Sequence, residues 1–378
     1  MVKREDWVSS FNVIGEAKVN DYTFKIDEKS EKSAWIYNSM NLGIDCGEKH
    51  GYVYCEMIGG YSSETNSVIY AHGKKDDGSD DFSKSITVDW DDRFNDDILE
   101  TIGDLSFITI GLEKTDKGKT YYKRFLSTYD AIAYVNEHLE EGTVLNVKGR
   151  LKYSIYNDRV QVKKEVTSIA LSRAETSADY KASFTQSILL NKDSATAKNI
   201  DKDTDTLYVD AIVLDYVKEL NGVEIKGQYP FEKQFIYELP KDEKQRKKVM
   251  DGLFKVRKDI TQINFEGDFV EGGAVITATL DDLPDDVKEL IDMGVYTEEE
   301  ALQKCSNKGN REQKMVLRKP VIKLVGEDKE KVAVVQKFEQ RFTEEDLMVD
   351  VSSKVEKEVS TEQESKDKDD DLDWLNSL

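Results

Sequence analysis

Residue types able to do covalent chemistry are few in this chain. Its 378 residues hold three histidines, at positions 50, 72 and 138, and three cysteines. The stretch CGEKHGYVYC brings Cys46, His50 and Cys55 close enough to offer three metal ligands. A structural zinc site takes four, usually as paired CxxC or HxxxH half-sites, and only His72 and Cys305 are spare. A β-hairpin turning at Gly47 to Gly51, with its thiols in or beside a sheet and in a reducing compartment, is the better reading. Acidic clusters at Asp76, Asp77, Asp80 and Asp81 and at Asp281, Asp282, Asp285 and Asp286 have the ligand type for Mg2+. In a chain of net charge −22 such clusters read first as solvated loops. No Gly-rich phosphate loop, GxSxG elbow, HExxH helix or Cys/His nucleophile pair is present. The expectation is a protein without catalysis and without a cofactor.

Binding chemistry stands out instead. Residues 146–164 carry six basic residues, Lys148, Arg150, Lys152, Arg159, Lys163 and Lys164, against one acid, Asp158. That is a local reversal of sign. Just upstream, KGKTYYKRF adds Lys117, Lys119, Tyr121, Tyr122, Lys123 and Arg124. Cations that track phosphates beside rings on which bases stack are the equipment of single-strand binders, each stack contributing ~1–3 kcal/mol whatever the base. The candidate nucleic-acid-binding residues are Lys119, Tyr122, Arg124, Lys148, Arg150, Lys152, Tyr156, Arg159 and Lys163, with Tyr156 as the leading stacker and Tyr122 as its alternative. The competing reading is an ordinary exposed strand face, on which one of Tyr121 and Tyr122 must point into the core.

Such residues need a β scaffold, and the surrounding sequence supplies one. From residue 34 onward AWIYNSMNLGI, YVYCEMIGG, SVIYAH, SITVDW and SFITIGLEK read as strands bounded by turn residues. STYDAIAYVNEHLEEG reads as a short helix capped by Ser127 or Thr128, with Ile132, Val135 and Leu139 on one face and Gly142 as its stop. VLNVKGRLKYSIYNDRVQVKK reads as two strands joined at Asn157-Asp158. Leu145, Val147, Gly149, Leu151, Tyr153 and Ile155 share one face of the first strand; the other carries Asn146, Lys148, Arg150, Lys152 and Tyr156.

The pattern apolar-Asn-apolar-charge-Gly-charge-apolar of residues 145–151 returns at 263–269. Each copy follows a helical segment, the second being DEKQRKKVMDGLFKV, and precedes a further strand, the second being AVITATL. The shared glycine marks a bulge or a barrel corner. The expected fold is mainly β: five-stranded OB-fold-like barrels in tandem, with short helices and a disordered acidic C-terminal tail. The expected boundaries are 1–175 for a nucleic-acid-binding domain and 182–325 for a second barrel with extra helices at DDVKELIDMG and TEEEALQKC. The tail spans 351–378. Where the first copy has Lys148 and Arg150, the second has Glu266 and Asp268, which makes it the poorer phosphate binder.

The segment DKDDDLDWLNSL, residues 367–378, joins a run of acids to an apolar tip, a combination that asks for a protein partner. A barrel with a basic aromatic face followed by such a tail resembles the single-stranded DNA-binding proteins of bacteria and their phages. The resemblance rests on residues 117–171 and the last dozen, and elsewhere on architecture alone. It implies an OB-fold and sequence-independent binding of single-stranded DNA in replication and recombination. It also implies a tail, through Asp369, Asp370, Asp371, Leu372, Asp373, Trp374, Leu375 and Leu378, that docks on a polymerase, helicase or recombinase. The bacterial family has one barrel per chain and ends its tail in Asp/Pro/Phe, so a phage-encoded, two-barrel form fits better. MVKREDWVSS lacks a signal core and no window approaches the ~18 apolar residues of a membrane span, so the cytoplasm of an infected bacterium is the expected location. The rival readings are a protein-interaction or virion component built on barrels, and a carboxylate-metal nuclease.

Overall fold

The computed structural model describes residues 6–156, 159–220, 223–272, 312–326 and 331–348, with isolated positions 288 and 291. The expected acidic tail, the helix at TEEEALQKC, the strand at AVITATL and, apart from Lys288 and Ile291, the helix at DDVKELIDMG lie outside the described residues.

Alternation of apolar and polar residues builds the first half from ten strands: β1 (Ser9–Lys18), β2 (Phe24–Lys29), β3 (Trp35–Asp45), β4 (Tyr52–Ser62), β5 (Val68–Lys74), β6 (Asp80–Asp89), β7 (Ile108–Lys114), β8 (Thr120–Phe125), β9 (Val144–Tyr156) and β10 (Arg159–Leu171). Five of them close a barrel in the order β1-β3-β4-β10-β9 and back to β1, antiparallel throughout except where β4 meets β10. This is the five-stranded, OB-like closure expected from the sequence. Between β4 and β9 comes an insertion. It holds the β5–β6 hairpin, a one-turn helix α1 (Asp96–Leu99) and the β7–β8 hairpin, which joins the barrel where β7 runs parallel to β10. Helix α2 (Thr128–His138) follows and packs on β3, β4 and β7. Ser127 is its cap, the hydroxyl accepting from Tyr129 N at 3.1 Å, and Ile132, Val135 and Leu139 are buried as their spacing requires.

The second half repeats the plan. Strands β11 (Lys181–Leu190), β12 (Ile200–Asp201), β13 (Thr206–Leu220), β14 (Val223–Glu238), β15 (Ile260–Gly272) and β16 (Glu312–Pro320) are followed by β17 (Ile322–Val325), β18 (Val332–Val335) and β19 (Lys337–Phe342). The ring runs β11-β13-β14-β16-β15 and back to β11, again with one parallel junction, β14 with β16. Helix α3 (Glu243–Val249) precedes the fourth strand of the ring, as α2 does in the first. It is capped by Asp242, which accepts from Gln245 N at 2.8 Å, and it continues into a wider turn that buries Phe254.

The seven-residue repeat falls on the fourth strand of each ring. Gly149 of β9 lies opposite Phe11 of β1, and Gly267 of β15 lies opposite Phe184 of β11. A Cβ on Gly149 would stand 1.9 Å from the Glu165 carbonyl oxygen and 2.7 Å from the Phe11 ring. On Gly267 it would stand 2.5 Å from the Val316 oxygen and 2.3 Å from the Phe184 ring. Beside each glycine the fifth strand is bulged, skipping Thr167 in β10 and Arg318 in β16. The glycines are there because a phenylalanine and a neighbouring backbone fill the space of a side chain.

The barrels meet strand to strand. β1 pairs antiparallel with β11, with Phe11 directly opposite Phe184, so equivalent residues face each other as across the two-fold of an isologous dimer. Each barrel also grips the other's fourth strand. From the β3–β4 turn, Lys49 bonds Asp268 at 2.9 Å and His50 Nδ1 lies 2.6 Å from the Phe269 oxygen. In return Asp215 of β13 accepts from Tyr153 N at 2.8 Å and from Lys152 at 3.5 Å. One apolar core runs through both barrels, and a smaller one, around Val88, Ile102, Phe107 and Leu126, anchors the insertion.

Candidate nucleic-acid interface

With Leu145, Val147, Leu151 and Tyr153 buried, β9 must present Lys148, Arg150 and Lys152 outward. β10 adds Lys163 directly opposite Lys152, and Arg159 opposite the half-exposed Tyr156. The charges are not equivalent. Lys148 forms no ion pair among the described residues. Arg150 bonds Glu165 at 3.0 Å and Lys163 reaches Glu56 at 3.5 Å. Lys152 is committed to the inter-barrel grip through Asp215 and the Tyr216 oxygen, the latter at 2.9 Å. Exposed pairs such as Arg150–Glu165 contribute about 0–1 kcal/mol, so a phosphate can replace the carboxylate at little cost. Lys164 leaves the basic row: Val160, Val162 and Val166 share its side of β10, and its ammonium lies 4.7 Å over the Phe269 ring. Burial there pulls its pKa down.

On the β7–β8 hairpin the expectation that one tyrosine points inward is corrected, because Tyr121 and Tyr122 are both about half exposed. β8 ends the strand order, so among the described residues no further strand pairs with it beyond β7. Tyr122 lies over Gly111, where a Cβ would meet its ring at 2.7 Å, and lines a hollow with Asn146 and Arg173. Arg124 pairs with Asp104 at 3.0 Å and sits 4.6 Å over Phe107. Lys119 is exposed beside the turn of the hairpin.

Two sets of rings escaped the sequence reading. In YVYCEMI, burial of Val53, Cys55 and Met57 forces Tyr52 and Tyr54 outward on β4, on the barrel face that continues to Lys163. Tyr54 lies against Gly43, with Lys18 opposite that glycine on β1. Period two alone would have found this pair. The other set is Tyr70 and Phe82 of the β5–β6 hairpin, which line a groove of about 820 Å3 against Met57, Ile58 and Arg150.

The same surface holds a hydrogen-bonded Ser106–His72–Asp80 chain, with Ser106 Oγ 2.8 Å from Nδ1 and Asp80 Oδ1 2.6 Å from Nε2. Its work is to fasten the insertion. Ser106 Oγ also accepts from His72 N, Asp80 also accepts from Leu105 N, and the amides of Ser106 and Phe107 are used in turns. Cys46 and Cys55 sit in the barrel core, where burial pushes both thiols up, Cys55 to about 12. Among the described residues no three of His, Cys, Asp and Glu are grouped to hold a metal ion, and no helix is long and apolar enough to cross a membrane.

Residues 60–251, just over half of the chain, match the YorF family model. This chain belongs to the YorF family. The YorF match begins at the end of β4, ends just past α3 and contains all nine of the candidate basic and aromatic residues read from the sequence. No curated protein matches the chain.

Proposed function

We propose that this YorF-family protein is a non-enzymatic, sequence-independent single-stranded DNA-binding protein of phage replication and recombination. In this reading residues 367–378 recruit a polymerase, helicase or recombinase. The observation that carries it is the outward β9–β10 ladder of the first barrel. There Lys148, Arg150, Lys152, Arg159 and Lys163 share one face with Tyr156, in a chain whose net charge is −22. Evenly spaced cations beside exposed rings suit a flexible phosphate backbone and bases of any identity. The second barrel supports the same division of labour, because its matching acids are neutralised within the fold: Glu266 by Lys319 at 3.1 Å, and Asp268 by Arg318 at 3.0 Å and by Lys49.

The test is a titration of intrinsic fluorescence with oligo(dT) at two salt concentrations, with and without Mg2+. Saturable binding that weakens with salt and leaves the oligonucleotide intact is expected. Degradation in Mg2+ would move the protein to the nucleases. A protein-interaction role is the second reading, and a specific feature favours it. The β17–β18 hairpin is exposed and apolar on both faces, Ile322, Leu324 and Val335 on one and Val325, Val332 and Val334 on the other, apolar surface with no use in binding phosphates.

A further inference from the structure

The groove beside the insertion extends the interface beyond the barrel. One wall is the β5–β6 hairpin with Tyr70 and Phe82, 76% and 73% exposed. The other is formed by Met57 and Ile58 of β4 and by Glu165, Val166, Thr167 and Ser168 of β10, and Arg150 stands in the lining.

Two independent features separate it from an ordinary surface hollow. Phe82 is largely exposed yet braced on one face: its ring stacks on His72, which also lines the groove, at 4.5 Å and 29°. His72 is in turn held through both ring nitrogens by Asp80 and Ser106. A ring fixed on one face and open on the other is a ready platform for a flat partner, because little side-chain freedom is left to lose. The second feature is charge. The acids in and beside the lining already have partners, Asp104 with Lys74 and Arg124, and Asp80 with His72 and Leu105 N. Arg150 is 69% exposed at its side chain, has Glu165 as its ion-pair partner among the described residues, and belongs also to the outward row of cations.

We propose that this groove takes the bases of single-stranded DNA. Tyr70 and Phe82 stack on successive bases while Arg150 exchanges Glu165 for a phosphate. The insertion thereby becomes the second wall of a channel whose first wall is the barrel. This rests on the single-strand-binding reading and assigns it a path. A cleft of this volume, lined by rings and a few polar groups, is of a size that holds small numbers of nucleotides.

The experiment uses the full chain, oligo(dT) and three variants. Tyr70→Ala combined with Phe82→Ala should weaken binding by about 5- to 140-fold per ring, the range of one stacking contact, and leave the salt slope unchanged, since a ring releases no counterion. Tyr70→Phe should bind like the unaltered protein. Phe82→Trp supplies a reporter that does not depend on the fold tolerating alanine, and its emission should be quenched at saturating DNA. Unchanged affinity in the double alanine variant, or an unmoved tryptophan signal, overturns the groove while leaving the wider reading standing. Quenching by a synthetic peptide of residues 367–378 that carries Trp374→Phe, but not by oligo(dT), also overturns it and assigns the groove to protein. If the unaltered protein binds no oligo(dT) at all, the wider reading falls and the groove falls with it.

Discussion

Replacing Lys148, Arg150 and Lys163 together by alanine removes three outward cations and spares the contacts between barrels, because the lysine that bonds Asp215 and the Tyr216 oxygen is Lys152. Each phosphate neutralised on a single strand contributes about 0.7 to the slope of log affinity against log salt, so three contribute about 2.1. Over a fourfold rise in salt, from ~50 to ~200 mM, a slope of about 2.1 corresponds to about an 18-fold loss of affinity. The triple variant should therefore bind more weakly than the unaltered protein at low salt and lose about 18-fold less affinity across that range. Stability should hold, since Arg150–Glu165 and Lys163–Glu56 are exposed pairs worth about 1 kcal/mol or less each. Fluorescence titration with oligo(dT) at four or five salt concentrations measures the slope, and a urea melt checks the fold. A variant that melts normally and keeps the slope of the unaltered protein would refute the assignment of phosphates to this ladder.

Other expectations follow from the packing. Gly149→Ala and Gly267→Ala should each destabilise the fold by ~1–3 kcal/mol or more, and to a similar degree, because each Cβ meets a carbonyl oxygen and a phenylalanine ring; denaturant midpoints that barely move would contradict the repeat. At Asp268, burial raises the carboxyl pKa, but hydrogen bonds from Lys49 and Arg318 outweigh it and the group titrates below its ordinary range. Its stabilisation is thus complete above the unfolded value of about 3.9 and is lost as pH falls through the lower folded value. Asp268→Asn should be less stable than the unaltered protein at pH 7, with the gap closing below about pH 4; a gap constant with pH would exclude this pairing. Cys46 and Cys55, both buried and poorly ionised, should resist iodoacetamide at pH 8 until the chain unfolds, as peptide mapping by mass spectrometry would show.

Much of the first barrel was legible because its strands are dense in β-branched and aromatic residues and its helix carries its own cap. β1 was not read. Its inward residues Phe11, Val13 and Ala17, with Gly15 between, alternate correctly, but half of them are too small to mark an apolar stripe. The repeat located the fourth strand of each ring from seven residues, since the glycine there answers to a fixed steric demand. The way the rings join was beyond reach, because Phe11 meets Phe184 and Lys49 meets Asp268 across well over a hundred intervening residues, and no local pattern encodes such pairings. The site divides in the same manner. Outward Lys148, Arg150 and Lys152 follow from period two, and so would Tyr52, Tyr54 and the inward turn of Lys164, had alternation been pressed further. What faces Tyr70 and Phe82 depends on how the insertion folds back, which only tertiary structure decides.

The most direct test of the central claim is photo-cross-linking of the full chain to oligo(dT) carrying 5-bromodeoxyuridine, with adducts mapped by mass spectrometry. Single-strand binding on the first barrel predicts adducts within residues 52–58, 70–82, 119–124 and 144–163, competed away by unmodified oligo(dT) and diminished by high salt. An absence of adducts at saturating protein, or adducts confined to the second barrel between residues 181 and 342, would contradict it.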